Sequence, residues 1–234
     1  MILSIHQPSY FPWLGLLHKI ANSDVIMAMD DVQLSDSGFQ NRNKFLSANG
    51  KEKFLTIPIN RKNYLERPLR ALEIADLSWK KRHLDFIVSN YRHHLYFDAI
   101  FPSLADYYAD EYPRLIDALT ASMRISFDLF GIRTRMIFQS EVPYDRSLRR
   151  GQLVLDLVRK AGADRYLSGV GAKAYLDASD FIGDLSLEYD VFSHPTYPQK
   201  NARDFVPGLS CLDALFNLGK EGARAIIIES AKSE

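Results

Sequence analysis

Cysteine is almost missing: Cys211 is the only one among 234 residues. An internal disulfide and a thiolate metal cage are thereby excluded, and a cytoplasmic setting is the natural expectation. Net charge is missing too, with 29 Lys+Arg against 29 Asp+Glu. The bulk electrostatic attraction behind nucleic-acid or anionic-membrane binding is therefore absent, and neither partner is expected. No run approaches the ~18 apolar residues of a membrane span, and there is no low-complexity tract or internal repeat. The motifs H-E-x-x-H, G-x-S-x-G and G-x-x-x-x-G-K-[ST] do not occur. Zincin, serine-hydrolase and P-loop chemistry lose their usual signatures with them. The opening "MILSIH" enters a strand at once, without a charged region and a long apolar stretch before it.

What is present is a chain that is 47% hydrophobic, enough for the core of one α/β domain spanning 1–234. "ILSIH" reads as a strand, "WLGLLHKIANS" as a helix and "DVIMAM" as a second buried strand. A strand, a helix and a strand in so short a span imply a parallel sheet with a right-handed crossover. "NKFLSANGKEKFLTIPI" carries Asn49-Gly50 between two strand-like runs, the signature of a tight hairpin. The stretch 39–72 is then an inserted hairpin and loop. Residues 77–131 read as a helical elaboration, with Ser78 as a cap, a second start near Tyr112-Pro113 and Gly131 as the stop. "RTRMIFQSEV", "RYLSG" and "LSLEYDVFSH" supply three more strands. A helix lies between the first two, two short helices in "AKAYLDASDFIGD", and a closing helix in "SCLDALFNLGKEGARAIIIES". The sum is a parallel-sheet, Rossmann-like α/β core of about five strands.

Ligands of open α/β sheets sit at the carboxyl ends of the strands. Three strand ends collect reactive residues, consistent with one shared site. The first, "IHQPSYFPWLG", holds His6, Gln7, Ser9, Tyr10 and Trp13 before Gly15. A helix N-terminus there favours an anion, and Gly15 would allow close approach. His6 is the leading acid–base candidate, since its ordinary pKa is near neutral. Lys19 and Asp30 are the other catalytic candidates. The second end, "DDVQLSDSGFQNRNK", offers Asp30 and Asp31 for Mg²⁺ or a sugar hydroxyl, or simply as turn acids. Gln40, Asn41, Arg42, Asn43 and Lys44 follow. Arg42 and Lys44 would share one face of a strand and could neutralise phosphate, or could be a solvated hairpin. The third end, "SGVGAK", places Ser168, Gly169 and Gly171 before Lys173. Tyr197 and Gln199 could line the same pocket or shape a loop. His18 reads as a surface residue, as do the adjacent His93 and His94, which cannot face one site together.

The runs "IHQPSYFPWLGLLHKIANSDV", "DDVQ", "FQNRNK", "LTIPI", "YLSGVGAKAYLD" and "LSCLDALFNLG", in that order, resemble the WbqC-like family from Ile5 to about Gly219. That resemblance implies a bacterial protein of surface-polysaccharide (O-antigen) biosynthesis, with amide transfer of an amino acid such as glycine to a sugar as one activity. The start is also similar to the HIGH-type nucleotidylyltransferases, which implies a nucleotidylyltransferase/HUP-like core. Aligned on Gly15, the two histidines of that motif fall on Trp13 and Leu16, so neither is present. The expectation is a transferase or ligase acting on a nucleotide- or phosphate-bearing small molecule. The alternative is a non-catalytic nucleotide-sugar-binding or accessory protein. ATP, or a nucleotide sugar with Mg²⁺, is the candidate cofactor; no dedicated metal site is expected, and a homo-oligomer is left open.

Overall fold

The computed structural model describes residues 1–35 and 38–229, with side chains through Ile228. Asp36 and Ser37, inside the acidic loop, and Ser230, at the end of the expected last helix, lie outside the described residues. Seven strands and six α-helices are described: β1 (Ile2–His6), α1 (Leu14–Ala21), β2 (Val25–Ala28), β3 (Arg42–Leu46), β4 (Glu52–Thr56), α2 (Trp79–Tyr91), α3 (Phe97–Ala109), α4 (Leu115–Phe130), β5 (Arg135–Phe138), α5 (Arg150–Lys160), β6 (Arg165–Gly169), β7 (Ser186–Asp190) and α6 (Cys211–Glu229). Five strands form one sheet in the order β5-β2-β1-β6-β7, and every pairing is parallel. β3 and β4 form the separate antiparallel hairpin that Asn49-Gly50 announces, with Gly50 at φ 78°. This is the doubly wound α/β arrangement, and its strand order reverses between β1 and β6.

Both faces of the sheet are covered, which is why the inner strands are apolar throughout. Leu3, Ile5, Val25 and Met27 pack with Val154, Leu157 and Val158 of α5 on one side. The larger cluster on the other side draws on α1, the three helices α2–α4, the hairpin and α6. α6 is broken at Gly219, whose φ of 73° is unavailable to most side chains and whose missing Cβ would lie 2.7 Å from the Tyr96 ring. Gly131 ends α4 at φ 65°, as the sequence suggests.

Several local expectations are corrected. Ser78 does not cap α2; its amide and hydroxyl both donate to Asp76, which supplies the turn instead. "AKAYLDASDFIGD" forms two brief 3-10 turns, Val170–Ala174 and Ala178–Asp180. His18 is not on the surface but 2% exposed, and His94 is buried while His93 is exposed. Each of these histidines spends its ring on a contact no periodicity records: Asp190 for His18, Tyr91 and Phe216 for His94. Trp13 stands at the start of α1 and is 39% exposed.

Candidate functional site

The connection from β1 to α1 is held in place by several distant elements. Phe11 adopts φ 37°, a left-handed conformation that costs a bulky side chain of order 1 kcal/mol or more. Three other elements hold it there. The Asn43 amide on β3 donates to the carbonyls of Tyr10 (3.2 Å) and Phe11 (2.7 Å). The Phe11 amide donates to Ser122 Oγ on α4, and the Tyr10 amide donates to the Gln40 carbonyl. Pro12 accepts from the Cys211 amide at the start of α6. The Tyr10 side chain is fully buried in an aromatic cluster with Phe11, Phe45, Trp79 and Tyr107. Its hydroxyl meets Tyr108 and His83.

This turn forms one side of a cavity of about 460 Å³ in the crevice between β1 and β6, at the carboxyl ends of the strands. That volume is ordinary for a small-molecule site. His6, Trp13, Gly15 and Lys19 line it from the first cluster, and Ser168, Gly169 and Gly171 from the third. Asp190 and Phe192 at the end of β7 and Tyr175 after β6 complete the functional part of the wall. Asp190 carries no sequence motif; only the parallel pairing of β6 with β7 brings it here.

The two glycine groups differ. A Cβ on Gly15 would lie 2.2 Å from the Trp13 indole, so the space Gly15 leaves is filled by that ring. The expected close approach of a ligand at Gly15 is taken by the protein itself. A Cβ on Gly169 or Gly171 would meet nothing within 4 Å, and neither has a positive φ. Nothing in the fold requires glycine at these two positions, and both open onto the cavity.

Charge in the cavity is sparse and buried. The Lys19 ammonium donates to the Ile5 carbonyl at 3.1 Å, and burial pulls its pKa down to about 8 against the opposing pull of Asp190. His6 Nδ1 lies 2.7 Å from the Gln7 carbonyl, so that nitrogen carries the proton and Nε2 is the acceptor. Burial and then Lys19 lower its pKa to about 3, which keeps the ring neutral. Asp190 Oδ1 pairs with His18 Nδ1 at 2.9 Å, both side chains being buried, and Asn22 faces the other ring nitrogen of His18 at 3.2 Å.

Gln7 of the first cluster and the whole of the second do not line this cavity. Gln7 donates to the Gln33 carbonyl and accepts from Gln40, and Asn41 bonds the Ile57 carbonyl. Asn43 clamps the turn as described. Arg42 and Lys44 do share the outer face of β3; Arg42 lies over the Phe54 ring at 5.0 Å and Lys44 pairs with Glu52 at 2.9 Å. Asp30 accepts from the amide and hydroxyl of Ser140. Asp31 accepts from Arg70, Tyr144 and Arg146. Lys173 stands over the Tyr189 ring at 4.9 Å, next to the lining residue Ala172. Tyr197 and Gln199 both donate to Asp213, a buried carboxyl raised to about 6 by desolvation. They border a separate cavity with Phe205.

The donor sets do not fit Mg²⁺ at the acidic pair. The oxygens of Asp31 are held by two guanidiniums and a phenol and those of Asp30 by Ser140. Among the described residues no group of three His, Cys, Asp or Glu is placed to hold a metal. The cavity lining, with one lysine, one aspartate and no arginine, is likewise a poor match for a triphosphate. Among the described residues no helix is long and apolar enough to cross a membrane.

The chain is 28% identical over 222 residues to an uncharacterized protein, Rv1507c, of Mycobacterium tuberculosis (strain ATCC 25618 / H37Rv), covering 94% of each chain. No solved structure matches it significantly. The profile of the WbqC-like protein family matches residues 7–225, which takes in the turn, the hairpin, all five helices from α1 to α5 and most of α6. The chain belongs to the WbqC-like protein family.

Proposed function

We propose that this protein is a small-molecule transferase of the amide-forming kind, acting in bacterial surface-polysaccharide biosynthesis, with its reaction in the crevice between β1 and β6. The observation that carries the reading is the pair of open glycines, Gly169 and Gly171, facing a cavity that also holds buried Lys19 and Asp190. Two opposite charges in one enclosure suit a substrate that carries both an amine and an anionic group. Asp190 would orient the amine of an amino acid. Lys19 would neutralise a phosphate or carboxylate, and charges so placed act strongly where water is scarce. The exposed rings of Trp13 and Tyr175 offer flat apolar walls for a sugar or a nucleobase. His6 contributes an unprotonated Nε2 as acceptor. A nucleotide sugar with its two phosphate charges suits this lining better than ATP.

A panel of nucleotides, nucleotide sugars and amino acids, read by thermal shift, tests the reading, because a ligand that binds the native state alone raises the midpoint. Gly169→Val is the informative variant, since its φ of −74° and ψ of 150° accept valine and its Cβ has room. It should melt where the native protein does and lose the shift. A shift of unchanged size in Gly169→Val would remove the cavity from the account.

One observation favours the non-catalytic alternative: His6, held near pKa 3, is too weak a base for proton transfer at neutral pH. Turnover measured on a compound that binds decides between them. Turnover lost in Asp190→Asn with binding retained supports catalysis, and binding without turnover in the native protein supports the accessory role.

A further inference from the structure

A second cavity, of about 580 Å³, lies at the carboxyl ends of β2 and β5. It shares the ligand-binding edge of the sheet with the first cavity, but the two have no lining residue in common. Its wall includes Arg67, Arg70, Arg146 and Arg149 against Asp31 and Glu66, an excess of two positive charges. Asp31 is 4% exposed at its side chain and receives Arg70 Nε at 2.8 Å, the Tyr144 hydroxyl at 2.6 Å and Arg146. One buried carboxylate thus positions two guanidiniums whose outer edges remain exposed. Arg149 makes no ion pair among the described residues; its contacts are to the carbonyls of Arg146 and Leu148. The independent sign of a ligand is Gln139. It follows β5 directly, is 0% exposed and contributes to the cavity lining. Neither its amide nitrogen nor its amide oxygen completes a hydrogen bond of normal geometry, although the Tyr144 hydroxyl is near. A buried amide left unpaired is costly, and a bound molecule or an ordered water is what completes such a group.

We infer that this basin is a second small-molecule site, which takes an oxyanion, a phosphate or a carboxylate, between the guanidiniums of Arg146 and Arg149 with the Gln139 amide donating to it. Guanidiniums present paired N–H groups that match such oxyanions. The inference stands apart from the reading of the first cavity, because it shares no residue with it.

Isothermal titration with inorganic phosphate, pyrophosphate and malonate, at ionic strength matched with sodium chloride, tests it on the full chain. The native protein should bind at least one probe. Arg149→Gln should weaken that binding at least tenfold, and Gln139→Leu, which removes only the amide, at least threefold. Arg149 is exposed and outside any ion pair, so its variant should fold with an unchanged melting midpoint. Phosphate or pyrophosphate binding without malonate binding identifies a phosphate-bearing ligand, and the reverse identifies a carboxylate. Lys19→Met should leave the titration unchanged. No binding by any probe in the native protein, equal affinity in Arg149→Gln, or loss in Lys19→Met alone would overturn the assignment.

Discussion

At the scale of the residue, Asn43 and Lys19 show how a side chain can be placed correctly in the sequence and carry a different duty in the fold. Asn43 sits in a polar run that invites a ligand, yet its amide faces inward and bonds two carbonyls of the β1–α1 turn. Asn43→Ala would leave those buried carbonyls unpaired around a strained Phe11. A loss of about 2–6 kcal/mol follows at ~1–3 kcal/mol for each of the two unsatisfied buried carbonyls. Chemical denaturation of the variant measures it, and a loss below about 1 kcal/mol would mean that the turn holds itself. Lys19 tests the electrostatics. Its folded pKa of about 8 lies below the ordinary lysine value of 10.5, so between these limits the unfolded chain binds the extra proton. Its contribution to stability therefore rises as pH is raised from about 8 to 10.5 and is at its poorest below 8. Lys19→Met should flatten that rise in urea-melting free energies.

Elements were legible where their punctuation is local. The βαβ start, the hairpin at Asn49-Gly50, the stop at Gly131 and the five strands of the sheet all follow from apolar runs bounded by turn residues. What was not legible is the partner of each polar residue. Asp190 ends an ordinary strand, and only the order β1-β6-β7 makes it a neighbour of Lys19 and His18. His18 falls on a helix with no acidic residue close by in sequence, so nothing local marks its burial beside Asp190. The break in α6 belongs to this scale as well. Gly219→Ala would force a Cβ into a φ of 73° and against Tyr96. A cost of about 2 kcal/mol or more is expected, with a fall in melting midpoint of about 4 °C or more for a chain of this size. Tyr96→Ala, in the same background, should return part of it, since it removes the steric share and leaves the backbone share.

Over the whole molecule, acid stability depends in part on histidines that the fold keeps neutral, beside carboxylates such as Asp31 that their partners hold below the ordinary value. Burial lowers His6 to about 3 and His83 to about 4, both below the ordinary value of 6.5. The unfolded chain takes up these protons first as pH falls, so both contributions are full above 6.5 and fade toward 4. Asp213 acts in the opposite sense. Raised to about 6, its carboxyl favours the folded state at low pH, and that favour is lost as pH rises from about 4 to 6. Burial lowers His94 and His194 as well, so four histidines oppose one carboxyl, and the protein should lose stability between pH 6.5 and 4. His83→Gln, which cannot take a charge, should lose less over the same interval; an identical acid limb in both proteins would show that His83 is not a source of it.

The left-handed Phe11 has a further consequence, for the order in which the chain assembles. Its clamps come from Asn43, 32 residues on, from Ser122, 111 residues on, and from Cys211 at the start of α6, which bonds the neighbouring Pro12. The first thirty residues can form strand, helix and strand by themselves, but the bend between them is favourable only after the hairpin, α4 and α6 have docked. Contacts so distant close late. During synthesis the wall of the first cavity therefore waits for α6 to leave the ribosome. In a refolding experiment, recovery of ligand binding should lag behind recovery of helical signal, and Asn43→Ala should lengthen that lag.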